Sequence, residues 1–148
     1  MTDPHHTSPR DFRFWIDQDV RFRDLDTLKH VNHTVYFIYA EMARLEYYRQ
    51  ILKMDLMTEL AFLMLDIRCH YSVAAEFGDT LRVGFRIDWL KRSSSGFSFL
   101  ILGPDQRLFA QGGGIQVYVD LDTRRPVPIP APMRTTMLSF DGDVANLE

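Results

Sequence analysis

The chain has 148 residues and a formal net charge of −3, enough length for one domain with its own apolar core. Its composition, 46% hydrophobic and 25% charged, is ordinary for a globular domain, and its slight acidity argues against a general nucleic-acid binder, whose footprint is basic. A single cysteine, Cys69, excludes an intramolecular disulfide and a cysteine-rich metal site.

Met1–Asp11 carries Pro4 and Pro9 among polar residues and reads as a mobile N-terminal lead-in. It has no apolar signal core, and no apolar run in the chain is long enough to span a bilayer, so the expected setting is cytoplasmic. Residues 12–132 read as the folded domain and residues 133–148 as a weakly patterned tail. From Phe12 to Phe22 the apolar residues recur mainly at even spacing, which predicts a strand with a bulge near Gln18.

Thr34–Leu52 lacks Gly and Pro and repeats apolar residues at i, i+3 and i+4, predicting a long helix. Its first half, Val35 to Ala40, is apolar almost all round and implies burial on most sides. Arg44, Glu46, Arg49 and Gln50 turn the second half toward water. Either Asn32 or Thr34 suits the N-cap.

Beyond Asp55 the period becomes two. Leu63, Leu65, Ile67, Cys69 and Tyr71 form one face of a strand. Leu81, Val83, Phe85, Ile87 and Trp89 form another, opposite Arg82, Gly84, Arg86 and Asp88. Alternation of this kind predicts antiparallel strands with one packed and one wet face, leaving Arg82 and Arg86 to solvent or a subunit contact. Ser93–Gly96 and Gly103–Asp105 are turns around a strand at Phe97–Leu102. Leu108–Leu121 is the next strand, and its Gly112, Gly113 and Gly114 signal a bulge or a close approach by backbone or ligand. The proline-rich run Arg125–Pro132 should lie extended on the surface. One apolar helix and a sheet with one apolar face pack best when the sheet curls round the helix. The expected class is α+β.

The segment entering the helix holds the most chemistry. Asp24, Asp26, His30 and His33 lie within one short loop, beside the unpaired N–H groups of a helix N-terminus. A carboxylate, imidazoles and backbone donors together suit acyl transfer. Each has a plainer role: a turn residue for Asp26, a loop residue bonded to a carbonyl for His30, a first-turn surface residue for His33. Cys69 alternates inward and reads as core rather than nucleophile. No Gly-x-Ser-x-Gly elbow, Walker loop or dinucleotide fingerprint is present.

Three passages carry a family resemblance: Val20-Arg21-Phe22-Arg23-Asp24-Leu25-Asp26 with Asn32-His33-Thr34-Val35-Tyr36, Glu41 and Arg44; Phe77-Gly78-Asp79-Thr80-Leu81 through Ser94; and Ala110-Gln111-Gly112 through Pro130. Their order resembles the hotdog fold, an antiparallel five-stranded sheet wrapped around one long central helix. The residues resemble the 4-hydroxybenzoyl-CoA thioesterase-like family, including its tol–pal-associated acyl-CoA thioesterases. The chain departs from many tol–pal members at Leu28-Lys29, where a glycine pair is common.

The resemblance implies hydrolysis of an acyl-CoA to the free acid and CoA. Asp26 matches the catalytic carboxylate, acting as general base or as nucleophile. His33 matches the position that supplies a backbone N–H to the thioester oxygen, with Thr34 beside it, and is itself a catalytic histidine in the tol–pal branch. His30 matches a catalytic histidine of plant acyl-ACP thioesterases. Lys91, Arg92, Ser93 and Ser94 stand where such families meet the CoA phosphates. The resemblance further implies no metal, no cofactor beyond CoA as part of the substrate, a homodimer or homotetramer, and an acyl carrier protein as the alternative carrier. No nucleic-acid partner and no stable membrane insertion are expected. Glu41 is expected to be a hydrogen-bonded structural group. The rival readings are a hotdog hydratase or dehydratase and a non-catalytic acyl-CoA or acyl-carrier binding module.

Overall fold

The computed structural model describes residues 8–147, so most of the Met1–Asp11 lead-in lies outside the described residues. Its elements in chain order are β1 (Phe14–Asp19), α1 (Val35–Gln50), β2 (Phe62–Tyr71), β3 (Thr80–Leu90), β4 (Ser94–Leu102), β5 (Leu108–Tyr118), α2 (Ala131–Asp141) and β6 (Ala145–Asn146). Five antiparallel strands run in the order β1-β3-β4-β5-β2, and β6 adds two residues parallel to β3. This is the expected α+β hotdog arrangement, with α1 against the concave apolar face.

Alpha-helix 1 packs through Tyr36, Tyr39, Ala40, Ala43, Tyr47 and Tyr48. These meet Phe85, Phe97, Phe99 and Ile101 from β3 and β4 in a single core cluster. The helix is not buried on most sides as its first half implies. Ile38, Glu41 and Met42 form an exposed stripe, so Glu41 faces outward rather than into a hydrogen-bonded interior. The second half does not simply emerge toward water either, since Tyr47 and Tyr48 are fully buried. A tyrosine can be buried this way when its hydroxyl finds a partner.

The phase of β2 differs from simple alternation. A register shift between Met64 and Asp66 turns Leu63 and Leu65 outward, while Met64, Ile67 and Cys69 pack against the core. Burial pushes the Cys69 thiol up to about 11, which keeps it protonated near neutrality.

Arg86 is a clear correction. It is 1% exposed and pairs with Asp88 at 3.0 Å instead of meeting solvent. Its guanidinium also donates to the carbonyls of Asp11 and Asp143. Arg82 is partly buried and lies over the Trp15 ring at 4.6 Å. The C-terminal residues that look weakly patterned form α2. Asp141 at its end is buried and accepts from the Tyr47 hydroxyl at 2.7 Å and the Ile87 N–H at 3.0 Å. Strand β1 stops pairing at Phe85, so α2 and β6 cover the rest of that edge of β3.

The triple glycine of β5 carries no bulge, because its register with β2 and β4 is continuous through Gly112–Gly114. It is a close approach of protein to protein. A Cβ on Gly112 would lie 2.0 Å from the Arg68 carbonyl oxygen and 2.6 Å from the Phe99 ring. Backbone cannot yield there cheaply. Gly112→Ala should therefore cost about 1–3 kcal/mol by overpacking, seen as a lower urea midpoint at unchanged slope.

Candidate active site

The loop between β1 and α1 is built around Asp24. Its carboxylate is buried and accepts from the Arg21 backbone N–H at 3.0 Å, the Arg21 guanidinium at 2.9 Å and the Tyr39 hydroxyl at 2.6 Å. Burial disfavours its ionisation, but the Arg21 and Tyr39 donors more than offset this and hold the carboxyl below its usual range. The first aspartate of Asp-Leu-Asp is thus the loop's anchor.

The second aspartate opens a tight turn. Asp26 N–H donates to the His30 carbonyl at 2.8 Å, and Leu25 bridges Val31. Its side chain closes the same turn, Oδ1 accepting from the N–H groups of Leu28 at 2.9 Å and His30 at 3.4 Å. The turn role and a chemical role are therefore compatible, since the turn uses Oδ1. Among the described residues no hydrogen bond engages Oδ2. Lys29 completes the turn at φ 63°, the left-handed region. A glycine takes that conformation without penalty, whereas a side chain pays about 1–2 kcal/mol.

The helix entrance is equally constrained. Asn32 Oδ1 accepts from the Thr34 N–H at 3.0 Å and the Thr34 hydroxyl at 2.8 Å, so Asn32 supplies the capping oxygen while Thr34 is the residue adjoining α1. The Thr34 N–H is thereby engaged within the protein. The Asn32 carbonyl accepts from the Val35 N–H at 2.9 Å. In a trans peptide the N–H points opposite to the carbonyl, so the His33 N–H is directed away from the first turn. The His33 carbonyl is held by the Tyr71 hydroxyl at 2.7 Å, and the two rings meet edge to face with centroids 6.4 Å apart.

His30 turns to a different partner. Its Nε2 lies 3.9 Å from Glu76 Oε1, and the two residues form an isolated bridge. Asp26 itself opens on a cleft of about 520 Å3 lined by Phe22, Leu25, Lys29, Glu76 and Phe77. Of these, Phe22 and Phe77 belong to the passages singled out in sequence, where nothing tells an exposed ring from a packed one.

Lys91–Ser94 is not beside Asp26 within one chain. Strand β3 begins next to the loop, where Val20 N–H meets the Asp79 carbonyl. At roughly 3.3 Å per residue the strand carries the 91–94 turn to the far end of the sheet. There the Arg92 carbonyl accepts from Ile129 and Arg134, the Ser93 carbonyl accepts from Tyr118, and the Lys91 ammonium lies over the Trp89 ring. Among the described residues no group of three or more His, Cys, Asp or Glu is placed to hold a metal ion.

The thioesterase-like superfamily matches residues 20–136. A thioesterase from Thermus thermophilus, solved in complex with coenzyme A and zinc, is 33% identical, covering 89% of this chain and 96% of its own, with a TM-score of 0.82. This chain belongs to the thioesterase-like superfamily. A thioesterase superfamily structure from Jannaschia has a TM-score of 0.84 at 23% identity, covering 97% of this chain and 99% of its own. A 1,4-dihydroxy-2-naphthoyl-CoA thioesterase from Synechocystis has a TM-score of 0.72 at 18% identity, covering 86% and 97%. The last two show the fold. No curated protein matches the chain. Among the described residues no helix is long and apolar enough to cross a membrane.

In this superfamily member the ionised Asp24 ties the candidate loop to α1, which gives its stability a pH signature. A carboxyl whose folded pKa is depressed contributes fully above its unfolded value, about 4, and the contribution fades as pH falls through the lower folded value. Urea midpoints measured from about pH 7 down to about pH 2 should fall steeply at the acid end. In Asp24→Asn that acid limb should flatten, with stability near neutrality lower by about 1–3 kcal/mol.

Proposed function

We propose that the protein hydrolyses acyl-CoA thioesters to the carboxylic acid and CoA, within the tol–pal-associated group whose histidine is matched by His33. This reading is supported by the β1–α1 loop, which carries both Asp26, pinned through Oδ1, and a helix entrance whose His33 N–H is directed away from the first turn. The coenzyme A bound to the Thermus thermophilus relative supports a CoA thioester as the substrate. No metal or further cofactor enters the scheme.

On the general-base route Asp26 Oδ2 takes a proton from water as the hydroxyl adds to the thioester carbon. The carbonyl oxygen becomes an oxyanion, stabilised by the His33 N–H and the positive end of α1. Collapse of the tetrahedral species breaks the C–S bond, and the proton passes to the departing thiolate. On the nucleophilic route Asp26 Oδ2 attacks the carbon itself, expels the thiolate and leaves an anhydride for water to open. His33 flanks the reacting carbonyl, and His30, tied to Glu76, shapes the loop.

Asp26→Asn keeps the Oδ1 acceptor and so the turn, yet removes the base. Activity against a panel of acyl-CoAs and an acyl-carrier thioester, followed with a thiol-trapping dye, should fall about 100- to 10,000-fold in kcat. Full activity in Asp26→Asn would reject the carboxylate. Hydration of enoyl-CoA without thiol release would reject hydrolysis. Label found in Asp26 after a single turnover in oxygen-labelled water assigns the nucleophilic route, with water opening the anhydride at the aspartyl carbon.

The proposal includes a homodimer. Strand β2 ends the sheet order, its outer edge pairing with no strand among the described residues, and Leu65 is 63% exposed. The exposed Ile38 and Glu41 of α1 flank Met64 and Ile67 of that strand around a shared cleft. Such an edge calls for cover. A twofold pairing of β2 with a second copy would bring the Tyr71 end, beside His33, to the other copy's Phe62 end. Phe62 pairs with Tyr118, which bonds Ser93, so the second copy's 91–94 turn would approach the site and present Lys91 and Arg92 to the CoA phosphates. Leu65→Glu should shift the sedimenting species from dimer to monomer and lower kcat/KM at least about tenfold, as the site loses half its groups.

A further inference from the structure

The cleft beside Asp26 has a wall that the loop chemistry does not use. Phe22 is 77% exposed and Phe77 is 62% exposed, and their rings meet edge to face with centroids 6.0 Å apart. They come from separate parts of the chain, the turn after β1 and the turn before β3. Two bare aromatic rings held against each other in water carry a standing hydrophobic cost. Pairs of this kind at a concave site serve ligand contact.

Charge narrows the ligand. The other lining groups are Leu25, Asp26, Lys29 and Glu76, so two carboxylates face one ammonium. That surface repels the phosphates of CoA and any acyl group ending in a carboxylate, and it leaves the apolar part of a thioester as the fitting occupant. A volume of about 520 Å3 admits a chain or ring well beyond acetyl.

We infer that Phe22 and Phe77 form the acyl-selecting wall of the site and that the preferred substrate carries an uncharged, apolar acyl group of medium length or an aryl acyl group. This rests on the thioesterase reading above. Phe22 reaches the wall because Asp24, its neighbour in the same turn, is fixed by Arg21 and Tyr39. Phe77 reaches it because Ala75 N–H is fixed by the Tyr36 hydroxyl at 2.9 Å. The wall is thus set by α1, the same helix whose N-terminus faces the thioester.

The test compares kcat/KM of the full chain for acetyl-, butyryl-, octanoyl-, benzoyl- and succinyl-CoA with that of Phe22→Ala and Phe77→Ala. In the unaltered protein kcat/KM should rise from acetyl to octanoyl, and succinyl should be worse than butyryl. Each alanine variant should lower the octanoyl-to-acetyl ratio about tenfold, with its dimer mass and thermal midpoint recording an intact fold. An unaltered ratio, or succinyl cleaved as fast as butyryl, overturns the inference. Loss of the dimer in either variant also overturns it, because the rings would then be a contact between copies. Should no thioester be cleaved, the proposed function fails, and the same comparison is read from calorimetric Kd values of S-octyl- and S-ethyl-CoA. Equal affinity for the two thioethers overturns the acyl wall separately.

Discussion

The structure depends on four tyrosine hydroxyls carried by a single helix. Tyr39 donates to Asp24 in the site loop, and Tyr36 accepts from Ala75 just before Phe77. Tyr48 donates to Gln116 of β5, and Tyr47 donates to Asp141 of α2. Burial pushes all four phenols up, so they remain neutral. Each brings a large apolar body to the core and one directional bond to a different part of the chain. Removing Tyr36 or Tyr48 would leave the buried Ala75 N–H or Gln116 Oε1 without its hydrogen-bond partner, which costs more than the net value of the bond itself. The helix therefore serves both as the core of the sheet and as its positioning device.

Much of this was legible in the sequence, and the gaps have physical causes. Period-two alternation at Leu81–Trp89 located β3, and the Gly- and Pro-free run located α1. A bulge in β2 hid the outward turn of Leu63 and Leu65, because one extra residue reverses the phase of everything before it. Arg86 looked solvated because alternation reports which face a residue takes, not what lies over that face. Its cover comes from residues far away in sequence. Helix α2 was missed because its buried residues are sparse, chiefly Met137 and Asp141. For the candidate site, the loop Asp24–Thr34 was identifiable from residue types alone. The division of labour within it was not. That Asp24 anchors, that Asp26 offers one oxygen to the turn, and that His30 turns to Glu76 are matters of direction, which spacing does not encode.

The loop also illustrates how one side chain can close a turn with one oxygen and leave the other outside it. An aspartate with neither oxygen engaged would be free to rotate. Asp26 has Oδ1 fixed by two amides, which sets the orientation of Oδ2 at little entropic cost. Lys29 in the left-handed region keeps the turn tight despite its side chain. The strain is small compared with the Arg21–Asp24–Tyr39 anchor that holds the loop to α1.

Arg86 has a consequence for the connectivity of the whole molecule. Because one interior guanidinium donates to the carbonyls of residues 11 and 143 together, those two points lie within a few ångströms of each other. The segment between them thereby closes almost on itself. A short linker joining them, with new ends opened at an exposed hairpin, would keep the five-stranded sheet order and give up only the two-residue pairing of β6 with β3.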